Sequence, residues 1–259
     1  SMETCASSLS YCFGTGTTAG ALAAWPSLQA ATIVDLNPDV IAFARHFEEV
    51  NHGVLADPRF VVVVDDGRHF LLTTEEKFDV VSFEPPPPRA QGVVNLYSQE
   101  FYALVKAHLT PGGVVAQWLP MDQQSSLLNR QLVAAVLAEF PHAALFVPSR
   151  FHGVLLASTR PLVVDLPRWR EWFEEPALAQ SFLDVGFSSP QDVLATFVAS
   201  EAGLKRFVAG ALPVTDDRPT IEHFLGSLDQ PLTAAALEEI SEPPVVAVGP
   251  RLPAQRKLL

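Results

Sequence analysis

The feature that most restricts this chain is a glycine-bearing turn set between two apolar runs, SYCFGTGTTAGALAAWPSLQAATIVDLNP, residues 10–38. The run from Leu9 to Phe13 predicts a strand. Gly14-Thr15-Gly16-Thr17-Thr18 predicts a tight turn, in which glycines let the backbone double back and approach a ligand closely. The small residues Ala19, Gly20, Ala21, Ala23 and Ala24 then predict a helix packed close on a sheet. A second run, Ala31 to Val34, ends in Asp35. In nucleotide-binding α/β folds an acid about 20 residues beyond the glycines hydrogen-bonds ribose hydroxyls. A GxG by itself is an ordinary strand-to-helix turn. The strand before it, the helix after it and the acid at that distance make nucleotide binding the expectation.

The alternation of strand and helix continues past Asp35. Asn37-Pro38 starts a helix carrying Val40, Ile41, Phe43, Ala44 and Phe47 at helical spacing. Arg59 to Val64 holds a continuous apolar run and predicts a parallel strand buried on both faces, closed by Asp65-Asp66-Gly67 and a short helix over 68–74. FDVVSF, 78–83, predicts a fourth strand that ends in Glu84 and Pro85 to Pro88. A helix over 98–109, a Thr110-Pro111-Gly112-Gly113 turn, a strand over 114–119 and a helix over 125–139 follow, then strands near 143–147 and 153–158. This order predicts a doubly wound, mostly parallel α/β sheet. Right-handed crossovers put the strand carboxyl ends on one edge, where open sheets bind ligands. Gly14, Asp35, Asp66 and Glu84 all fall at such ends.

Beyond Pro161 the pattern weakens to helices over 169–173 and 192–208, a Thr215-Asp216-Asp217-Arg218-Pro219 turn and a short run over 220–225. A helix over 233–240 and a Pro-rich tail close the chain. The expected division is a nucleoside-binding core over 1–160, a helical part over 161–228 that completes the same domain, and a helix with tail over 229–259. With 259 residues and a net charge of −12, the chain repels phosphate backbones, so no nucleic-acid partner is expected and a cationic substrate is favoured. Plain solubility charge explains the same surplus. Cys5 and Cys12 form neither a disulfide framework nor a metal pattern, and the seven histidines are scattered, so no metal site is expected. Reduced cysteines predict a cytoplasmic setting. No apolar run reaches the ~18 residues of a membrane span, and no signal peptide is visible, so no membrane partner is expected.

The strings FGTGTTAGAL, IVDLNPDVIAFAR, VVVDDGRHFL, FDVVSFEPPPP, NLYSQEFY, LTPGGVVAQW and TDDRP, over about Phe13 to Glu222, resemble the spermidine synthases and their spermidine-synthase-like relatives. The nearest resemblance is to the bacterial branch often fused to membrane helices, of which this would be the soluble domain. The resemblance implies a Rossmann-like sheet of the S-adenosylmethionine-dependent methyltransferase type. It implies binding of decarboxylated S-adenosylmethionine or S-adenosylmethionine, with methylthioadenosine as product and no metal. The implied cofactor residues are Gly14, Thr15, Gly16, Thr17, Asp35, Leu36, Asp66, Gly67 and Glu84. Among them Asp35 would hold the ribose hydroxyls and Asp66 would face the adenine amino group. Glu84 stands where the family has its catalytic aspartate. Tyr97 and Gln117 are the implied contacts to a small-molecule amine of the polyamine class. Family members commonly dimerise, which implies a homodimer.

Departures from the pattern sharpen the alternatives. Thr17 stands where spermidine-forming members carry an acid that contacts the aminopropyl amine, and Pro87 stands where a second acid helps bind the diamine. The small N-terminal β-domain that caps the family's polyamine groove is not in this sequence. Aminopropyl transfer to an amine is therefore read beside two alternatives: methyl transfer from intact S-adenosylmethionine, and non-catalytic nucleoside binding. The residues have structural readings as well. Asp35 could interact with a helix dipole, Asp66 could be turn chemistry before Gly67, and Glu84 could cap the proline loop. Tyr97 and Trp118 could be core, and Asp216 could make a turn.

Overall fold

The structure, a computed structural model, describes residues 5–86, 91–121, 125–149, 152–222, 237, 239–244 and 246–247. The chain opens with β1 (Ser7–Tyr11), α1 (Thr17–Ala23), β2 (Ala30–Asp35) and α2 (Pro38–Phe43). A 3-10 turn over Ala44–Phe47, α3 (Glu48–Asn51), β3 (Phe60–Val64), α4 (Gly67–Thr73) and β4 (Phe78–Phe83) follow. Then come α5 (Gln99–Ala107), β5 (Leu109–Pro120), α6 (Ser126–Glu139), β6 (His142–Ser149) and β7 (His152–Ser158). The remainder is β8 (Val164–Asp165), α7 (Leu166–Glu174), α8 (Pro176–Asp184), α9 (Pro190–Ala195), β9 (Phe197–Ala199), α10 (Glu201–Phe207) and β10 (Val246–Ala247).

Eight strands form one sheet in the order β3-β2-β1-β4-β5-β7-β6-β9. The first five run parallel, and β7, β6 and β9 are antiparallel additions. This is the α/β arrangement the alternation predicts, with the carboxyl ends of β1, β2 and β4 side by side. Leu9 and Tyr11 enter the larger core with Phe83, Phe101 and Tyr102, whereas Phe13 and Ala19 belong to a smaller core with Ile33, Ala44 and Val54. Helix starts are fixed by side-chain caps: Asn37, Asp66, Ser98 and Ser125 each accept a backbone N–H of the first turn, leaving fewer orphan donors.

Several expectations are corrected. β1 ends at Tyr11, not Phe13, because Cys12 turns out of extended geometry at φ +60°. β3 is not buried on both faces; it is the sheet edge, with Val61 59% and Val64 52% exposed. The single helix expected past Pro38 breaks into three short pieces that leave Phe43 and Phe47 exposed. The Thr110–Gly113 turn is absorbed into β5 as an irregularity, since Phe78 pairs with Leu109 and Val80 with Val114. The helix expected over 192–208 is interrupted by β9, which pairs with β6. Helix α8 lies in a stretch given no element from sequence. Pro87 and Pro88 lie outside the described residues, as does most of the helix expected over 233–240. No helix among the described residues is long and apolar enough to cross a membrane.

Candidate active site

The site grows from the end of β1. Cys12 donates its N–H to Val34 O at 3.1 Å, and Phe13 donates to Asp35 Oδ2 at 2.8 Å, which turns the chain toward β2. Gly14 (φ +57°) and Gly16 (φ +83°) then take left-handed geometry that suits glycine. At Gly16 space matters too, because a Cβ there would lie 2.4 Å from Phe13 Cζ and 2.9 Å from Asn51 Cβ. Asn51 is buried and fastens the turn from outside: its Nδ2 donates to Thr15 O (3.1 Å) and Ala44 O (2.9 Å).

Asp35 is 9% exposed, with both carboxylate oxygens engaged: Oδ2 accepts from Phe13 N and Oδ1 from Asn37 N at 2.9 Å. Each oxygen keeps further acceptor capacity. Leu36, next along, is 70% exposed. Asp66 is exposed and caps α4, its Oδ1 accepting from Arg68 N and His69 N, both at 2.9 Å. Gly67 packs its backbone against the Tyr11 ring, where a Cβ would come within 2.7 Å. Glu84 is exposed at the end of β4, and its Oε1 accepts from Thr18 Oγ1 at 2.5 Å.

A cavity of about 130 Å³ opens between the glycine turn, α1 and the ends of β1 and β4. Of the expected residues it gathers Gly14, Thr15, Thr17 and Glu84. Gly16, Asp35, Leu36, Asp66 and Gly67 do not line it; Gly16 and Asp35 shape the turn above it. Tyr97 and Gln117, expected to contact substrate, are instead core residues. Tyr97 is fully buried and donates its hydroxyl toward Pro85 O (3.3 Å) and Pro86 O (3.4 Å), fixing the start of the proline run from beneath. Gln117 is 2% exposed and is used up internally, accepting from Tyr102 Oη at 3.0 Å and donating to Trp118 O at 2.8 Å. In this structure both side chains are buried and hydrogen-bonded within the protein.

Sequence reasoning missed Ser10, Cys12, Thr18 and Ser82, all of which line the cavity, and it missed Asn51. The β-period places Ser10 on the α1 face, a usable signal; the meeting of Thr18 with Glu84 had none. Burial pushes the Cys12 thiol up to about 12, with the Asp35, Glu84 and Asp66 carboxylates adding to the shift, so the thiol is neutral and the field around it negative. Asp216 is committed to Arg68, whose two terminal nitrogens meet its two oxygens at 2.8 and 2.5 Å. Hydrogen bonds from that guanidinium hold the Asp216 carboxyl below its usual range. Among the described residues no three His, Cys, Asp or Glu side chains come together to hold a metal ion.

Known proteins bear the same framework. A polyamine aminopropyltransferase of Oceanobacillus iheyensis is 30% identical over 162 residues, covering 61% of this chain and 28% of that protein. One from Korarchaeum cryptofilum is 36% identical over 122 residues, 46% of this chain and 38% of its own length. The chain thus spans well under half the length of these curated relatives. Among solved structures, Thermotoga maritima spermidine synthase superposes with a TM-score of 0.64 at 18% identity, covering 80% of this chain and 69% of that one. Human methyltransferase-like protein 13 in complex with SAH gives 0.53 at 19% identity, covering 68% and 82%. These two likenesses establish the fold. Residues 14–152, more than half of the chain, match the spermine/spermidine synthase domain, and the chain belongs to that family.

Proposed function

We propose that this domain transfers an aminopropyl group from decarboxylated S-adenosylmethionine to a small amine of the polyamine class. The observation that carries the reading is Glu84, a carboxylate at the end of β4 on the cavity beside the glycine turn, in a chain of the spermine/spermidine synthase family. Gly14 and Gly16 would lie under the nucleoside, Asp35 would take the ribose hydroxyls, Leu36 would cover the adenine and Asp66 would face its amino group. Gly67, Thr15 and Thr17 complete the proposed cofactor residues. The relatives' name, polyamine aminopropyltransferase, supports the aminopropyl group and the amine class. We also carry as proposals the division at residues 160 and 228, a homodimer and a cytoplasmic location.

The chemistry uses this chain's own groups. A neutral amine nitrogen attacks the carbon beside the sulfonium, the carbon–sulfur bond breaks, and its electron pair leaves on sulfur as the neutral thioether methylthioadenosine. The nitrogen then carries one proton too many, which the Glu84 carboxylate accepts. The hydroxyl of Thr18 holds that carboxylate in place for orientation. The test is release of methylthioadenosine by the purified protein given decarboxylated S-adenosylmethionine and a panel of diamines. Release that needs both substrates supports the reading, and its absence with every amine refutes it. A second reading, methyl transfer from intact S-adenosylmethionine, draws on Thr17, which leaves the turn uncharged. S-adenosylhomocysteine appearing in place of methylthioadenosine would establish it.

A further inference from the structure

The outer edge of the sheet carries the residues of an interior strand. β3 reads Phe60-Val61-Val62-Val63-Val64, and among the described residues β2 is its one strand partner. Arg59 O accepts from Ala31 N, and Asp65 N donates to Asp35 O, so residues 59, 61, 63 and 65 turn their backbone groups toward β2. Strand geometry then aims those of Phe60, Val62 and Val64 away from the sheet. The Phe60 N–H is met by Asp57 O at 3.0 Å. Natural sheet edges are blunted by lysine, proline, a bulge or a covering element. β3 holds no lysine or proline and pairs with β2 without a register shift. Val61 and Val64 are exposed on it, and Phe43, Phe47 and Leu55 are exposed on the connection that leads into it. An unblunted, apolar edge of this kind is a template for another strand.

We propose that β3 is a dimerisation strand, which pairs antiparallel with β3 of a second copy about a twofold axis at Val62 and so joins two sheets into one. A twofold interface must be self-complementary, and this strand is. Pairing centred on Val62 sets outward backbone against outward backbone. Val62 exchanges N–H···O=C bonds with its own copy, and Val64 N–H reaches Phe60 C=O at both ends, while Phe60 N–H stays with Asp57. Side chains meet as Phe60 against Val64 and Val61 against Val63, the aromatic and β-branched pairs that stabilise sheets. The flanking charges are opposite, with Arg59 of one copy across from Asp65 of the other. Each already has a partner in its own chain, Asp57 for Arg59 and His69 for Asp65, so this contact fixes register more than it adds energy. A slip of one residue would turn inward backbone groups toward the seam, and a slip of two would bring like residues out of opposition with Val62. The inference gives the proposed homodimer its surface and does not depend on the reading of the active site.

The test is sedimentation equilibrium of the full chain over a wide range of concentration, with residue-resolved amide hydrogen exchange on the same samples. The variants are Val61→Lys/Val64→Lys, which alters two exposed side chains of the edge, and Leu183→Lys, which alters an exposed side chain of α8. Wild type is expected to be a dimer in which the Val62 and Val64 amides are protected. Val61→Lys/Val64→Lys is expected to weaken that dimer by about a hundredfold or more, because it seats like charges across the seam. Both amides should then exchange freely, while far-UV circular dichroism stays that of wild type. Leu183→Lys should leave the dimer as it was. A wild-type dimer that the double variant does not weaken, or that Leu183→Lys weakens as much, overturns the inference and leaves the homodimer to another surface. Unprotected Val62 and Val64 amides in a wild-type dimer overturn it without recourse to a variant. Wild type that stays monomeric overturns both the inference and the homodimer, and protection of those amides in the monomer would assign the edge to another segment of this chain.

Discussion

Asp35 and Glu84 close the two strands that flank β1, yet the chain treats the two carboxylates differently. Asp35 is 9% exposed and ties two backbone N–H groups, one from the glycine turn and one from the start of α2. Glu84 is exposed and takes one side-chain bond, from Thr18. An acid bound to the buried Phe13 amide shapes the backbone, and removing it strands a donor that water cannot reach. An acid held by one hydroxyl can change partner and protonation without disturbing the fold. The pair separates the part of the site that is architecture from the part free for chemistry.

The comparison can be strained first on the architectural side. Gly16→Ala puts a Cβ into the Phe13 ring at a left-handed φ, and about 2–5 kcal/mol of stability should be lost. A denaturant midpoint like that of wild type would mean the turn is looser than described. Asp35→Ala comes next, with about 1–3 kcal/mol lost chiefly through the stranded Phe13 amide. For a chain of this size that is a Tm lower by about 2–4 °C for each kcal/mol. If Glu84→Ala destabilised the protein as much as Asp35→Ala, the contrast between the two acids would collapse.

A smaller effect separates the rim from both. Asp216 has its folded pKa depressed by Arg68, so the pair's contribution is present above the unfolded carboxylate value near 3.9 and is lost as pH falls through the lower folded value. Arg68→Met should therefore be less stable than wild type at pH 7, by less than Asp35→Ala. The gap should narrow as pH drops below about 4, which denaturation curves at the two pH values would reveal; a gap that widened in acid would contradict the assignment. Smallest of all is Tyr97→Phe. Its bonds to Pro85 and Pro86 carbonyls are 3.3 and 3.4 Å long, so stability should change by about 0.5–1.5 kcal/mol, and methylthioadenosine affinity not at all.

What could be read from sequence follows from which forces are local. β2, β4 and α6 were legible because apolar runs are bounded by strong signals, Asp35, Glu84 and the Ser125 cap among them. Local pattern says nothing of place in the sheet order, so Phe60–Val64 read as a buried strand while lying at the edge. β9 hid inside a helical pattern because its pairing with β6 is long-range. The placement of Gly14, Asp35, Asp66 and Glu84 at strand ends was legible from spacing. The turn at Cys12 was not, since bonds to Val34 and Asp35 across β2 impose it. Tyr97 and Gln117 were polar enough to suggest substrate contact, and only the packed structure reveals that protein groups already satisfy them.

The central claim is that Glu84 acts in the chemistry and not in the scaffold. The most direct measurement is single-turnover release of methylthioadenosine by Glu84→Gln beside wild type, with donor affinity and Tm taken on the same samples. The account predicts release slowed by about 10²–10⁴-fold, the range for a positioned general base, with Tm unchanged. Release at the wild-type rate would contradict it and return Glu84 to the role of a loop residue.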